Sequence, residues 1–125
     1  MQFDELSTKV LGCAITVHRK LGPGLLESAY ERCLAHELEL AGLQVVAQLP
    51  IALHYKGLLI PCAYRADLVV ANKLLVEIKS ADSFTPQHIA QILTYLKLTK
   101  LKIGLLLNFN LPTLRQGMRS FIHSP

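Results

Sequence analysis

No run of apolar residues in this chain approaches the roughly 18 to 20 that cross a bilayer. The apolar pieces are short, such as Leu74 to Val76 and Ile103 to Leu107, so no transmembrane helix and no membrane partner are expected. The segment Met1 to Lys9 has Asp4 and Glu5 where a secretory leader carries positive charge ahead of an apolar stretch, which points to a cytoplasmic location. Cysteine is scarce and unpaired. Cys13, Cys33 and Cys62 are an odd number with no CxxC spacing, which excludes a disulfide framework and leaves them as reduced thiols expected in the interior. The five histidines form no HExxH and no cluster with cysteine, so a zinc site has nothing to build on. There is also no glycine-rich phosphate loop of the Walker or Rossmann kind, which argues against an enzyme acting on small phosphorylated molecules. Repeats, linkers and low-complexity segments are absent, and 125 residues make one domain, 1–125.

What the chain has is enough apolar material for a core, with 51% hydrophobic and 18% charged residues. Its charge is unevenly spread. Residues 1–62 hold five bases and six acids, net −1, whereas residues 63–125 hold eight bases and three acids, net +5. A basic half of this kind suits a polyanion.

Leu6, Val10, Cys13, Val17 and Leu21 recur at helical steps and predict a helix from about Glu5 to Leu21, broken by Gly22-Pro23-Gly24. A second helix follows with the stripe Leu26, Ala29, Tyr30, Cys33, Leu34, Leu38 and Ala41, ended by Gly42; Glu27, Glu31 and His36 face elsewhere. From Leu43 the period becomes that of strands. Val45 to Tyr55 reads as partly edge sheet because it contains Pro50, and Lys56-Gly57 is a turn. Tyr64 to Val70 and Leu74 to Lys79 form a hairpin across Ala71-Asn72-Lys73. Thr85-Pro86 opens a third helix with the stripe Ile89, Ile92, Leu93 and Leu96, closed by Lys97 to Lys102. Ile103 to Asn108 is a strand covered on both faces. Leu111, Leu114, Met118 and Phe121 suggest a last amphipathic helix. The fold class is α/β, a mixed sheet flanked by helices.

Three charged residues interrupt these apolar strands: Asp67, Glu77 and Lys79. Alternation puts Glu77 and Lys79 on one face. A three-residue loop places Asp67 opposite Glu77, with side chains about 5 Å apart. Two carboxylates at that distance in a low dielectric need a shared proton or a cation, and Mg²⁺, with its preference for oxygen ligands, is the natural cation, with Mn²⁺ as a substitute. A metal there polarises a phosphoryl oxygen and lowers the pKa of a water, while Lys79 orients that water or neutralises phosphate charge. Gln91 and Tyr95 share one face of the third helix with His88, and a helix packed on the sheet can deliver Glu27 as a third carboxylate.

In their order these elements resemble the PD-(D/E)XK nuclease superfamily, and within it the small GxxExxY family. Gly24, Glu27 and Tyr30 match the naming motif, Tyr64 to Asp67 (YRAD) the strand bearing the metal-binding aspartate, and Val76 to Lys79 (VEIK) the ExK element. Ala90 to Thr99 resembles the helix that follows and Gly104 to Asn110 the closing strand, while Gln91-x-x-x-Tyr95 is similar to the QxxxY motif of RecB-type and phage-exonuclease-type nucleases. The resemblance implies a restriction-endonuclease-like core, metal ligation by Glu27, Asp67 and Glu77, a catalytic Lys79, and assistance from Gln91 and Tyr95. It implies hydrolysis of nucleic-acid phosphodiesters, DNA ahead of RNA. With no separate sequence-reading module the cleavage would be structure- or end-directed, and a homodimer would place two sites on a branched substrate. The rival from another class is a non-catalytic nucleic-acid-binding or protein-interaction domain that keeps the nuclease-like fold.

Overall fold

The structure is a computed structural model that describes residues 4–124. Two helices, α1 (Glu5–Leu21) and α2 (Glu27–Leu40), precede strands β1 (Val45–Tyr55), β2 (Leu58–Val70) and β3 (Leu74–Lys79), then α3 (Pro86–Thr99) and β4 (Ile103–Asn108). A short 3₁₀ turn, Leu114–Gly117, leads into β5 (Met118–Ile122). The five strands form one sheet in the order β1-β2-β3-β4-β5, antiparallel except for the parallel β3–β4 pair. Helix α3 connects that pair, as a parallel crossover requires. The α/β architecture, a mixed sheet with helices on its faces, is the one expected from sequence.

Each helix forms where its ends are satisfied. Asp4 caps α1 by accepting from the Ser7 amide at 2.6 Å, and Gly22, at φ 69°, turns the chain out of the helix. Thr85 and His88 exchange capping hydrogen bonds at the start of α3, with Pro86 at its first position. The α1 and α2 layer buries Val10, Leu11, Ala14, Val17, Tyr30, Leu34 and Leu38 against Leu68, Val76, Ile78, Leu105 and Leu107. On the other face α3 buries Ile92, Tyr95 and Leu96 against Val69, Leu75 and Leu106. Strands β3 and β4 are therefore covered on both sides, which is why they read as continuous apolar runs.

Several expectations need correction. Met118 to Ile122 is an edge strand rather than a helix: the 3-4-3 spacing of Leu111, Leu114, Met118 and Phe121 imitates a helix, but the open edge of β4 needs ladder partners. Strand β2 begins at Leu58, six residues before the expected start, and pairs with β1 as a long hairpin arm. On α2, Leu26 is 77% exposed, and Cys33 and Ala41 also face solvent, because the sheet meets only the narrower stripe Tyr30, Leu34, Leu38. Leu93 of α3 is exposed for the same reason. The thiols are not all interior: Cys13 is half-buried, whereas Cys33 on the outside of α2 and Cys62 on the arm are exposed.

The connection between α1 and α2 is stitched to the end of β3. Tyr30, fully buried, donates its hydroxyl to the Gly22 carbonyl at 2.5 Å and accepts from the Leu25 amide at 3.1 Å, while its ring stacks on Phe109 at 4.5 Å. Gly24 adopts φ 99°, which a side chain would disfavour. Ser80 closes the join by donating its hydroxyl to the Leu25 carbonyl at 2.9 Å. Removing the hydroxyl in Tyr30→Phe leaves a buried donor and acceptor unpaired, so chemical denaturation is expected to show a loss of about 1–3 kcal/mol; an unchanged midpoint would show that the turn does not depend on it.

Candidate active site

The site lies where the sheet forks. Strand β2 pairs with β3 only at Leu68↔Val76, Val69↔Leu75 and Val70↔Leu74, yet it continues alongside β1 as far as Leu58. The three-residue connection has Ala71 and Asn72 in left-handed conformations (φ 52° and 56°) and sets this register. Continuing the register by one pair brings Asp67 opposite Glu77, as the loop length implied. Here side chains replace the main-chain ladder. The Asp67 amide donates to Glu77 Oε2 at 2.7 Å and the Ile78 amide donates to Asp67 Oδ2 at 2.8 Å. Each carboxylate thus satisfies an amide that the parting strands would otherwise strand.

Burial makes these acids unusual. Glu77 is only 2% exposed. Burial and then the neighbouring Asp67 push its carboxyl up to about 8, against the Asp67 amide and the Lys79 charge. Burial likewise raises Asp67, with Glu27 adding to the effect, while the Ile78 amide and Lys79 oppose it. The pair lacks positive charge in its immediate surroundings, because the Lys79 ammonium is turned to α3, where it donates to Gln91 Oε1 at 2.7 Å. Gln91 Nε2 donates in turn to the Tyr95 hydroxyl at 3.1 Å. The structure therefore joins Lys79, Gln91 and Tyr95 in one chain beside the carboxylates. Burial, followed by the charge of Glu77, raises the Tyr95 phenol above its ordinary value. The ring of Tyr64 leans on that of Tyr95 at 5.4 Å.

Glu27 is placed at the first turn of α2, where its Oε2 accepts from the Ser80 amide at 3.2 Å. It is close enough to Asp67 to raise it, but its described hydrogen bond ties α2 to the end of β3. His88 is occupied in capping α3, and its ring is held below its usual pKa by burial and by Lys79. Three further residues escaped sequence reasoning. Glu31, one turn after Glu27, faces the fork instead of solvent; burial raises its carboxyl and Asp67 adds to that. Gln48, bracketed opposite Asp67 by the β1–β2 register, takes φ 53° and reaches Glu31 Oε1 at 2.5 Å and Asp67 Oδ1 at 3.4 Å. Asn108, fully buried at the end of β4, holds the loop after β3 by accepting from the Ala81 amide and donating to the Ala81 carbonyl. Only Asn108 left a signal, as an amide ending a run of buried apolar residues.

Among the described residues no three Asp, Glu, His or Cys side chains converge as a cage for a metal ion. Asp67 and Glu77 nevertheless suit a hard divalent cation of the Mg²⁺ type, which takes one or two carboxylates and keeps several waters. Two buried acids held close together above their ordinary pKa are the donor set that such a charge relieves.

A mixed sheet flanked by helices, with an aspartate at the fork and Glu-x-Lys on the central strand, is the arrangement of a restriction-endonuclease-like nuclease fold. The family model of the PD-(D/E)XK nuclease superfamily matches residues 4–121, and the chain belongs to that superfamily. No curated protein and no solved structure gives a significant match.

The carboxylate pair has a consequence for stability in EDTA. Unfolded Glu77 releases its proton near 4.5 and the folded protein holds it to about 8. Between those values the unfolded state binds fewer protons, so stability falls as pH rises. Denaturation at a series of pH values is expected to show a loss of up to about 1.4 kcal/mol per pH unit across that window, and Glu77→Gln should remove most of the slope. A flat wild-type profile would contradict the raised value.

Proposed function

We propose that this protein is a divalent-metal-dependent nuclease of the GxxExxY group, with Mg²⁺ as its metal and Mn²⁺ as a substitute. The observation that carries the reading is the head-to-head pair Asp67 and Glu77 at the fork, flanked by the Lys79–Gln91–Tyr95 chain. Asp67 and Glu77 would hold the metal, with Glu27 on its far side. Such a metal would offset phosphate charge and lower the pKa of a bound water. Lys79, fixed at its Nζ by Gln91, is positioned to orient the hydrolytic water or to meet negative charge developing on the phosphate. Gln91 limits the rotamers available to the lysine, and Tyr95 fixes Gln91. Nucleic acid is the substrate class, DNA ahead of RNA, in keeping with the net +5 charge of the second half of the chain. No sequence-reading module accompanies the site, so cleavage directed by strand ends or branches is the form proposed, in the cytoplasm.

The test is incubation of labelled single-stranded, duplex and branched DNA, and matching RNA, with Mg²⁺, Mn²⁺ or EDTA. Cleavage by the wild type that requires metal is expected. Glu77→Ala and Lys79→Ala should each lower it by at least about 10³-fold, roughly 4 kcal/mol of transition-state stabilisation, with salt-dependent binding retained. Undiminished cleavage by both variants would overturn the site. Binding without cleavage by the wild type would assign a non-catalytic nucleic-acid-binding domain, and neither would assign a protein-interaction domain.

A further inference from the structure

The hairpin of β1 and β2 is longer than the sheet it belongs to. Its ladder runs from Val45↔Val70 to Tyr55↔Leu58, while β3 pairs with β2 only from Leu68 to Val70. The outer half therefore projects as a two-stranded ribbon, an arrangement that is marginal in water by itself. Its composition does not suit solvent. Register places Leu53, Tyr55, Leu58 and Ile60 on one face of the ribbon, and His54 and Leu59 on the other. Tyr55 is 60% exposed, Leu58 57% and Ile60 37%. This face carries no charge of either sign; the nearest cation is Lys56 at the turn, folded over the Tyr55 ring at 5.4 Å.

We propose that the uncharged face of the ribbon, Leu53, Tyr55, Leu58 and Ile60, is the surface through which two copies of this chain associate. A polyanion would have no cation to meet on it, so the charge distribution favours an apolar occupant. A second copy supplies the same apolar face, and a two-fold crossing makes the pair self-complementary. Running the two ribbons antiparallel sets each Lys56 away from its counterpart. With side chains of about 200 Å² each, the exposed part of the face and its neighbour Leu59 offer roughly 400 Å² of apolar surface per copy. That is about half of the 800 Å² per partner in a standard stable interface. Strand backbone, Pro61 and Cys62 add to it. The area fits a dimer that dissociates on dilution rather than an obligate one. The proposal stands independently of the nuclease reading, since it uses none of the carboxylate residues.

Sedimentation velocity of the purified full chain between about 1 and 200 μM tests it, beside Leu58→Glu on the proposed face and Leu59→Glu on the opposite face. The wild type and Leu59→Glu are expected to shift from 13.9 kDa towards twice that mass as concentration rises, while Leu58→Glu stays at the monomer mass with an unchanged circular dichroism spectrum. A wild type that remains monomeric throughout would overturn the proposal. Loss of the dimer in Leu59→Glu but not in Leu58→Glu would move the interface to the other face and overturn it equally. A Leu58→Glu variant with wild-type mass but at least tenfold weaker binding to labelled duplex DNA would assign the face to nucleic acid instead. Should Leu58→Glu unfold, Leu58→Ser is the substitute, with the same shift in dissociation expected, smaller in size.

Discussion

The whole site depends on a reciprocal exchange: at the point where two strands part, the side chain of each acid accepts the amide that the other strand has lost. An ordinary hairpin would continue its ladder through Asp67 and Glu77, leaving both carboxylates directed to the two faces of the sheet. Here the strands separate, and the acids enter the gap between them. Geometry then does what no amount of attraction could do, since two like charges are held within a few ångströms in a pocket poor in water. The price of that arrangement is a pair of carboxyls held above their ordinary pKa, which is also what makes a cation welcome there.

The surrounding elements read as supports for that fork. Helix α2 delivers Glu27 to the Ser80 amide and Glu31 to Gln48, so both strands leaving the fork are attached to the same helix. The Gly24, Glu27 and Tyr30 motif serves chiefly as a clamp in this structure: Tyr30 holds the turn before α2, and Glu27 ties the turn after β3. On the opposite side of the sheet α3 supplies Gln91 and Tyr95 from one face of one helix, so the lysine chain needs no loop to form. Asn108 steadies the segment in which β3 gives way to α3.

Much of this was legible because it is local. Period-two patterning and a three-residue loop were enough to bring Asp67 opposite Glu77, and helical spacing was enough to put Gln91 beside Tyr95. Helices α1 and α3 announced themselves through their caps. What could not be read depends on partners distant in sequence. Glu31 and Gln48 look like solvated residues until α2 is laid against β1, and Met118 to Ile122 has helical spacing until the free edge of β4 claims it. The extra length of the arm was hidden for a related reason: Leu58 to Ala63 lacks the polar alternation of a half-buried strand, because its outer part has no core to face.

Strand β3 is only six residues long, yet it is the centre of the sheet, covered by helices on both faces, and it carries both Glu77 and Lys79. In many enzymes catalytic groups sit on loops that can loosen while the scaffold stays intact. Here the central beam of the building is also its workbench. Local melting cannot switch off the chemistry and leave the core standing, so hydrogen exchange at the amides of Glu77 and Ile78 would report global opening of the molecule and not a private motion of the site.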